Sequence, residues 1–553
     1  MTKIRFLFVL FLLFFVVIIL RLGYIQILHP IAPSDYLMTR KIMAKRGSIF
    51  DRKMLPLVTN QMKYLMFAEP KLVQDQSLFT FKLSQILQME EASITARLDK
   101  TKTWVAIRNG VDRTKKDAID ALHLPGVGFD EQPALYYPEG SSAAHILGFV
   151  GKNNDGENVG YFGIEGFYDK DLSGLPGLMR SDRDLIGRPI FLGTQEKIEP
   201  ENGRDLVLTI DKTVQDIVKR KLKEGLEQYG SSQGCAIVAN PNTGEILALS
   251  CLPDFDPDTY YDFPPESYKN SAISDTYEPG STFKPLVMAA AIQEKVLKAD
   301  SVMNESGPVT IDKYTIQTWN NQYEGNITMT RVLEKSSNVG MVYVGEKLGR
   351  QKLYEYIRKF GFGDLTGVDL DGEVPSYLRP MRNWYGIDFS TATFGQGIAV
   401  TPVQMIAGFS AVINGGHLMR PYVVKQMISD RKTQDIQPKE IRRILSDDTS
   451  SIMRKMLVST IENGETKWLR PKGYQIGGKT GTAQIALQGH YDASKTIASF
   501  IGFAPVTHPE FVGLVIVREP KTSQWGSETA APIFFQIAKE LIVYYNITPE
   551  HTP

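Results

Sequence analysis

The run FLFVLFLLFFVVIIL, Phe6 to Leu20, contains no polar residue and constrains this chain more than any other stretch. A helix needs about 20 apolar residues to cross a bilayer core. The run alone falls short, but extended through Leu22, Ile25, Ile27 and Leu28 it is long enough. Arg21 then lies near the far interface, where its stem stays in apolar surroundings and its guanidinium reaches water. A cleaved signal peptide would place small residues soon after the run. RLGYIQILHP has bulky ones there. The reading is therefore an uncleaved, single-pass anchor. Lys3 and Arg5 would stay in the cytoplasm. Everything after about residue 30 would lie outside, in a bacterial periplasm or its equivalent.

With 553 residues, the chain is too long for one ordinary domain. Its 42% hydrophobic and 22% charged residues make it globular rather than disordered. Lys+Arg and Asp+Glu are both 62, which argues against a strongly basic nucleic-acid surface. Two cysteines are too few for a disulfide framework or a Cys-rich zinc site, and the seven histidines form no H-E-x-x-H pair or cluster. No metal or organic cofactor is expected.

From about 60 to 200, short alternating strands mix with amphipathic stretches such as Thr80–Leu98. Turn-rich punctuation at Gly174–Gly177 and Ile198–Asp205 places a domain boundary near 200. Leu206–Ile210 then reads as a strand, with Asp211 as N-cap of a helix over Lys212–Tyr229. CAIVANPNTGEILALSCLP reads as a β-hairpin. TIASFIGFAPV and FVGLVIVREP read as two further strands, and Ala531–Tyr545 as a closing helix. Strands at both ends with helices between predict a sheet covered by helices. Cys235 and Cys251 flank the hairpin. A five-residue loop would set them directly opposite; a four-residue loop would offset them to opposite faces. Two free, buried thiols are the preferred expectation.

YEPGSTFKPL, Tyr277–Leu286, sets Ser281 three residues before Lys284 at the start of an apolar helix. That spacing puts both on one face. The free N–H groups of a helix start can stabilise an oxyanion beside the serine. A lysine works as a base only if desolvation or a second cation lowers its pKa. The bland alternative is a capped helix with a surface lysine, and S-x-x-K alone does not exclude it. Ser336-Ser337-Asn338 can project a hydroxyl and an amide from a tight turn, or simply N-cap the helix that follows. Lys479-Thr480-Gly481-Thr482 reads as an edge strand. There Lys479 and Gly481 point opposite to Thr480 and Thr482, and glycine admits close approach. A cation and hydroxyls beside an open edge suit a carboxylate-bearing substrate that adds as a strand.

In the order S-x-x-K, S-x-N, K-T-G, these motifs resemble the penicillin-binding proteins. NPNTGEILALSCLPDFDP, YEPGSTFKP, SSNVG, FGQGIAVTPVQM and GGKTGTAQ are similar to stretches of their transpeptidase domain. RGSIFDR (Arg46–Arg52), YPEGSSAAHILGFVG and GIEGFYDKDLSG resemble the class B pedestal. After RGSIFDR the family usually has Asn-Gly, whereas Lys53-Met54 stands here. Since methionine does not suit φ > 0, that turn is expected to differ locally. His145, inside a family-like string, is expected to be structural.

The resemblance implies an α+β chain. Residues 1–29 would be a cytoplasmic stub and transmembrane anchor, 30–203 a mixed α/β pedestal, 204–546 a transpeptidase domain with a central antiparallel sheet covered by helices, and 547–553 a tail. It implies a peptidoglycan D,D-transpeptidase of the bacterial cytoplasmic membrane, closest in YEPGSTFKP and Asn338 to the division-specific (FtsI-type) enzymes. Ser281 would be the nucleophile, Lys284 its base and Ser336 a proton relay. Asn338 would hold the donor amide, and Lys479, Thr480, Gly481 and Thr482 would form the carboxylate subsite. The oxyanion hole would be the N–H groups of Ser281 and Thr482. Implied partners are stem peptides, lipid-linked nascent glycan, β-lactams, an FtsW-like SEDS glycosyltransferase and other divisome proteins, with no nucleic acid. An elongation-type enzyme, a non-catalytic penicillin-binding scaffold or sensor, and a carboxypeptidase or β-lactamase are the alternatives.

Overall fold

The computed structural model describes residues 2–28, 37–182, 195–430, 432–487 and 490–549. The end of the expected tail, 550–553, lies outside them. The chain divides into two compact units, 1–46 with 173–203, and 47–172 with 204–553.

The first unit holds a helix over Thr2–Gly23, long and apolar enough to cross a membrane. Its large apolar side chains from Ile4 to Leu20 are all exposed. A helix apolar on every side needs an apolar surrounding, and lipid supplies one. The unit also holds an antiparallel sheet of Leu37–Ile42, Gly177–Asp182 and Gln195–Ile198.

The second unit is built on two larger sheets. One is five-stranded and antiparallel, in the order Ile246–Leu252, Gln233–Ala239, Phe511–Arg518, His490–Ala504, Gly477–Leu487. Both faces are buried, and side chains alternate between them with period two. Ala236, Val238, Ala498 and Phe500 meet the helices Lys212–Tyr229 and Ala530–Tyr544. Ile237, Ile501 and Phe503 face the opposite way, into a core shared with the helices Lys284–Gln293 and Pro402–Ile413. The expected strands, the closing helix and the Asp211 cap are all present; the Asp211 carboxylate accepts from the Thr213 and Val214 amides. The amphipathic Thr80–Leu98 stretch spans parts of two helices, Gln76–Leu87 and Glu91–Arg97, broken where Gln88 turns left-handed.

The other sheet is seven-stranded and crosses residue 204. Ile49–Phe50 pairs parallel with Asp205–Leu208, which pairs antiparallel with Val424–Ser429. Pro56–Ala68, Val105–Val111 and Val127–Tyr136 continue it on one side, and Lys432–Asp435 on the other. Buried polar clasps reinforce the join. The Asp369 carboxylate accepts from the Tyr168 hydroxyl and from the amides of Val423 and Val424. Burial holds its pKa above the usual carboxylate range. Phe149 stacks on Tyr260 with ring centroids 4.1 Å apart. His145 is buried beside them with a ring nitrogen 2.9 Å from the Ser267 carbonyl, and burial holds its pKa down.

Two expectations are corrected here. Cys235 and Cys251 are not free thiols; they form a disulfide. The register after a bulge at Val238 sets them directly opposite, with Cα atoms 4.1 Å apart. The turn after RGSIFDR is not altered by Met54 either: Met54 itself adopts φ 64°. The cause is Asp51, which is fully buried. One of its carboxylate oxygens accepts from the amides of Lys53 and Leu55, and the other from the amide of Lys212. A turn so over-determined imposes its backbone on whatever side chain occupies it. A non-glycine residue there costs roughly 1–2 kcal/mol, and glycine returns roughly 0.4–1 kcal/mol through unfolded-chain entropy. Met54→Gly is therefore expected to stabilise the protein by about 0.5 kcal/mol, whereas β-branched Met54→Val destabilises it. Denaturant midpoints measure both, and a lower midpoint for Met54→Gly would contradict the strain.

Candidate active site

Ser281 sits in a 3-10 turn, Gly280–Phe283, that runs directly into the helix Lys284–Gln293. That helix is buried from Lys284 to Ile292, so it is a core helix with a lysine at its first position. Tyr277 pairs with Val400 through two backbone hydrogen bonds, and the Gly280 amide donates to the Gly395 carbonyl at 3.0 Å. The FGQG stretch thus anchors the loop that carries the serine. A side chain at Gly395 would lie 2.2 Å from the Gly280 carbonyl oxygen, so only glycine fits this approach.

Lys284 is fully buried. Its Nζ donates to the Ser336 carbonyl at 2.6 Å and to Asn338 Oδ1 at 2.8 Å, and lies 3.3 Å from Ser336 Oγ. Burial first, then the nearby Lys479 charge, hold its pKa well below the lysine range, while Glu465 and Glu305 act in the opposite sense. A neutral amine has two N–H donors and one lone pair. The Ser336 carbonyl and Asn338 Oδ1 take the donors, which leaves the lone pair to accept a hydroxyl proton.

The two readings of Ser-Ser-Asn divide between neighbouring residues. Ser337 is the N-cap of Asn338–Leu348, accepting from the Gly340 amide at 2.8 Å. Its flanking residues turn to Lys284, with Ser336 held at φ 57°. Glu305, fully buried, fixes this turn: it accepts from the Ser337 hydroxyl and pairs with Lys335 at 2.5 Å. Asn338 Nδ2 donates to the Gln317 carbonyl at 3.2 Å.

Lys479-Thr480-Gly481-Thr482 lies on the edge strand of the five-stranded sheet, paired on one side with His490–Ala504. A side chain at Gly481 would meet Thr282 at 2.9 Å and the Pro279 carbonyl oxygen at 3.0 Å, so the glycine lets the serine turn press against the strand. Lys479 is buried, and its Nζ lies 3.1 Å from Thr480 Oγ1. Burial pushes its pKa down to about 8, against the pull of Glu465. Thr482 Oγ1 accepts from the Gly526 amide at 3.0 Å.

These stretches form one cleft. Ser281, Ser336, Asn338, Thr480 and Thr482 line it directly. Lys284 reaches it through Ser336 and Asn338, Lys479 sits behind Thr480, and Gly481 underlies the serine turn. All eight expected residues are therefore together. The sequence did not point to Glu465 or to Trp319 and Trp525, which also line the cleft. The two indoles meet edge to face at 5.3 Å. No local spacing marks any of the three; the fold alone brings them in. Among the described residues, no group of three or more His, Cys, Asp and Glu is placed to hold a metal.

Comparison with known proteins gives the same picture. Residues 234–539 match the penicillin binding protein transpeptidase domain, and residues 41–208 the penicillin-binding protein dimerisation domain. The chain is 36% identical to stage V sporulation protein D of Bacillus subtilis, over 97% of this chain and 84% of that one. It is 29% identical to peptidoglycan D,D-transpeptidase FtsI of Escherichia coli, over 96% and 90%. A peptidoglycan synthetase structure from Bifidobacterium adolescentis superposes with a TM-score of 0.75 at 26% identity, covering 94% of this chain and 98% of that one.

Proposed function

The chain belongs to the penicillin-binding protein transpeptidase family, and from that premise we propose that it cross-links peptidoglycan stem peptides through an acyl-enzyme on Ser281. Neutral Lys284 takes the Ser281 proton as Oγ attacks the carbonyl of the penultimate D-alanine. Lys479, Thr480 and Thr482 hold the terminal carboxylate. The N–H groups of Ser281 and Thr482 receive the oxyanion. Ser336 passes the proton to the departing amine, and terminal D-alanine leaves. An amine of a neighbouring stem then attacks the ester, releasing Ser281 and forming the cross-link. The observation that carries this reading is Lys284, buried, held by Ser336 and Asn338, and kept well below the lysine pKa range. Asn338 spends its amide on Lys284 and Gln317, so it contacts the donor by giving up Gln317.

The setting we infer is septal wall synthesis, supported by the FtsI names of several relatives. The sporulation name of another supports a second reading, a developmental transpeptidase of the same chemistry. The apolar helix would anchor the chain with its N-terminus in the cytoplasm, and an FtsW-like glycosyltransferase would supply nascent glycan.

The test is peptide mapping of the detergent-solubilised chain after incubation with a fluorescent penicillin. A long-lived adduct is expected on the Ser281 peptide and absent from Ser281→Ala. An adduct elsewhere, or none, would sink the proposal in favour of a scaffold. Rapid loss of the adduct would favour a hydrolase.

A further inference from the structure

The carboxylate subsite contains a carboxylate of its own. Glu465 lines the same cleft as Ser281, and its Oε2 accepts the hydroxyl of Thr480 at 3.1 Å. Thr480 Oγ1 in turn lies 3.1 Å from the Lys479 ammonium. A threonine hydroxyl has one proton and two lone pairs. With its proton on Glu465, its lone pairs are presented to Lys479, and the order runs Lys479 to Thr480 to Glu465. The turn bearing Glu465 is tightly seated: a side chain at Gly464 would lie 2.2 Å from the Thr460 carbonyl oxygen and 2.8 Å from that of Glu334. Thr466 on the other side is buried.

A fixed anion here is a cost to an enzyme that must bind an anion at the same hydroxyl. We infer that Glu465 stands in for the substrate's terminal carboxylate in the resting site, holding the Lys479–Thr480 clamp in its binding arrangement and competing with that carboxylate for the Thr480 proton. This deepens the proposed function and rests on it. Incoming donor takes the Thr480 hydroxyl from Glu465. When the peptide bond breaks and D-alanine departs, the hydroxyl returns to Glu465, so the clamp is restored and the product carboxylate is repelled. Glu465 is a positioning residue; it touches the clamp, not the reacting carbonyl. Its effect on Lys479 is consistent, since it is the anion that counters the loss of that charge by burial.

The experiment is inhibition of penicillin acylation by free D-alanine, in the full-length protein and in Glu465→Gln. At pH 6, Lys479, with its value of about 8, stays charged. Glutamine keeps an acceptor for Thr480 but removes the competing charge. Half-inhibition is expected at a D-alanine concentration lower by on the order of threefold to tenfold. Equal or weaker inhibition in Glu465→Gln would overturn the inference, because a merely structural Glu465 loosens the clamp when changed. The two failures are distinguishable. A Ser281 adduct that forms without this change in inhibition rejects only the role of Glu465. No adduct in the unaltered protein rejects the functional reading beneath it.

Discussion

Lys284→Met is expected to slow acylation of Ser281 by penicillin about 1,000- to 10,000-fold while leaving the protein folded. Methionine is close in size and shape to the lysine stem, and Lys284 is already buried in a helix with no exposed face from Lys284 to Ile292. The change removes the lone pair that receives the serine proton, and general-base catalysis is worth roughly 10²–10⁴-fold. It also leaves the Ser336 carbonyl and Asn338 Oδ1 without their donor, at a cost of roughly 1–3 kcal/mol for an unsatisfied buried group. Stopped-flow acylation and thermal melting, measured on the same sample, separate the two effects. A variant that melts as a cooperative unit yet acylates within tenfold of the parent would remove Lys284 from the role of base.

The pH profile of acylation is expected to be bell-shaped, and Lys479→Met to abolish its alkaline limb and move its acidic one. Lys284 acts only when neutral. Its pKa is depressed by burial and by Lys479, so activity rises as pH climbs through that lowered value. Lys479 acts only when charged, and activity falls as pH passes its value of about 8. Lys479→Met deletes the group behind the alkaline limb. It also removes the cation that repels a proton from Lys284, so the Lys284 pKa rises and the acidic limb moves to higher pH. With no cation to meet the substrate carboxylate, kcat/KM falls on the order of a hundredfold, the scale of one charge-assisted hydrogen bond. An acidic limb that stays in place would show that the two lysines do not act on each other.

The chemistry of the cleft was legible because each motif is local. Ser281 and Lys284 share a helix start, and Lys479 to Thr482 share a strand. In both, residue type and spacing are enough to state what the side chains can do. The five-stranded sheet was legible for a similar reason: Phe500 and Phe503 fall on opposite faces by counting alone. What the sequence hid is set by contacts between distant segments. Glu305 reaches Ser337 across 32 residues. Glu465 meets a threonine 15 residues on, through a turn with no motif. The Cys235–Cys251 bridge depended on a one-residue bulge that hairpin composition does not announce. Met54 adopts a backbone against its propensity because the distant packing that buries the Asp51 carboxylate overrides it.

The seven-stranded sheet also determines how the second unit responds to being pulled. Ile49–Phe50, Asp205–Leu208 and Val424–Ser429 lie side by side, so a load applied along residues 47–172 meets rows of hydrogen bonds stressed together in shear. Asp51 and Asp369 rivet the same seam with bonds to the Lys212, Val423 and Val424 amides. Val424–Ser429 follows the buried helix Pro402–Ile413, which shares its core with the helix behind Ser281, so tension on the early strands is expected to reach that core through these hydrogen bonds.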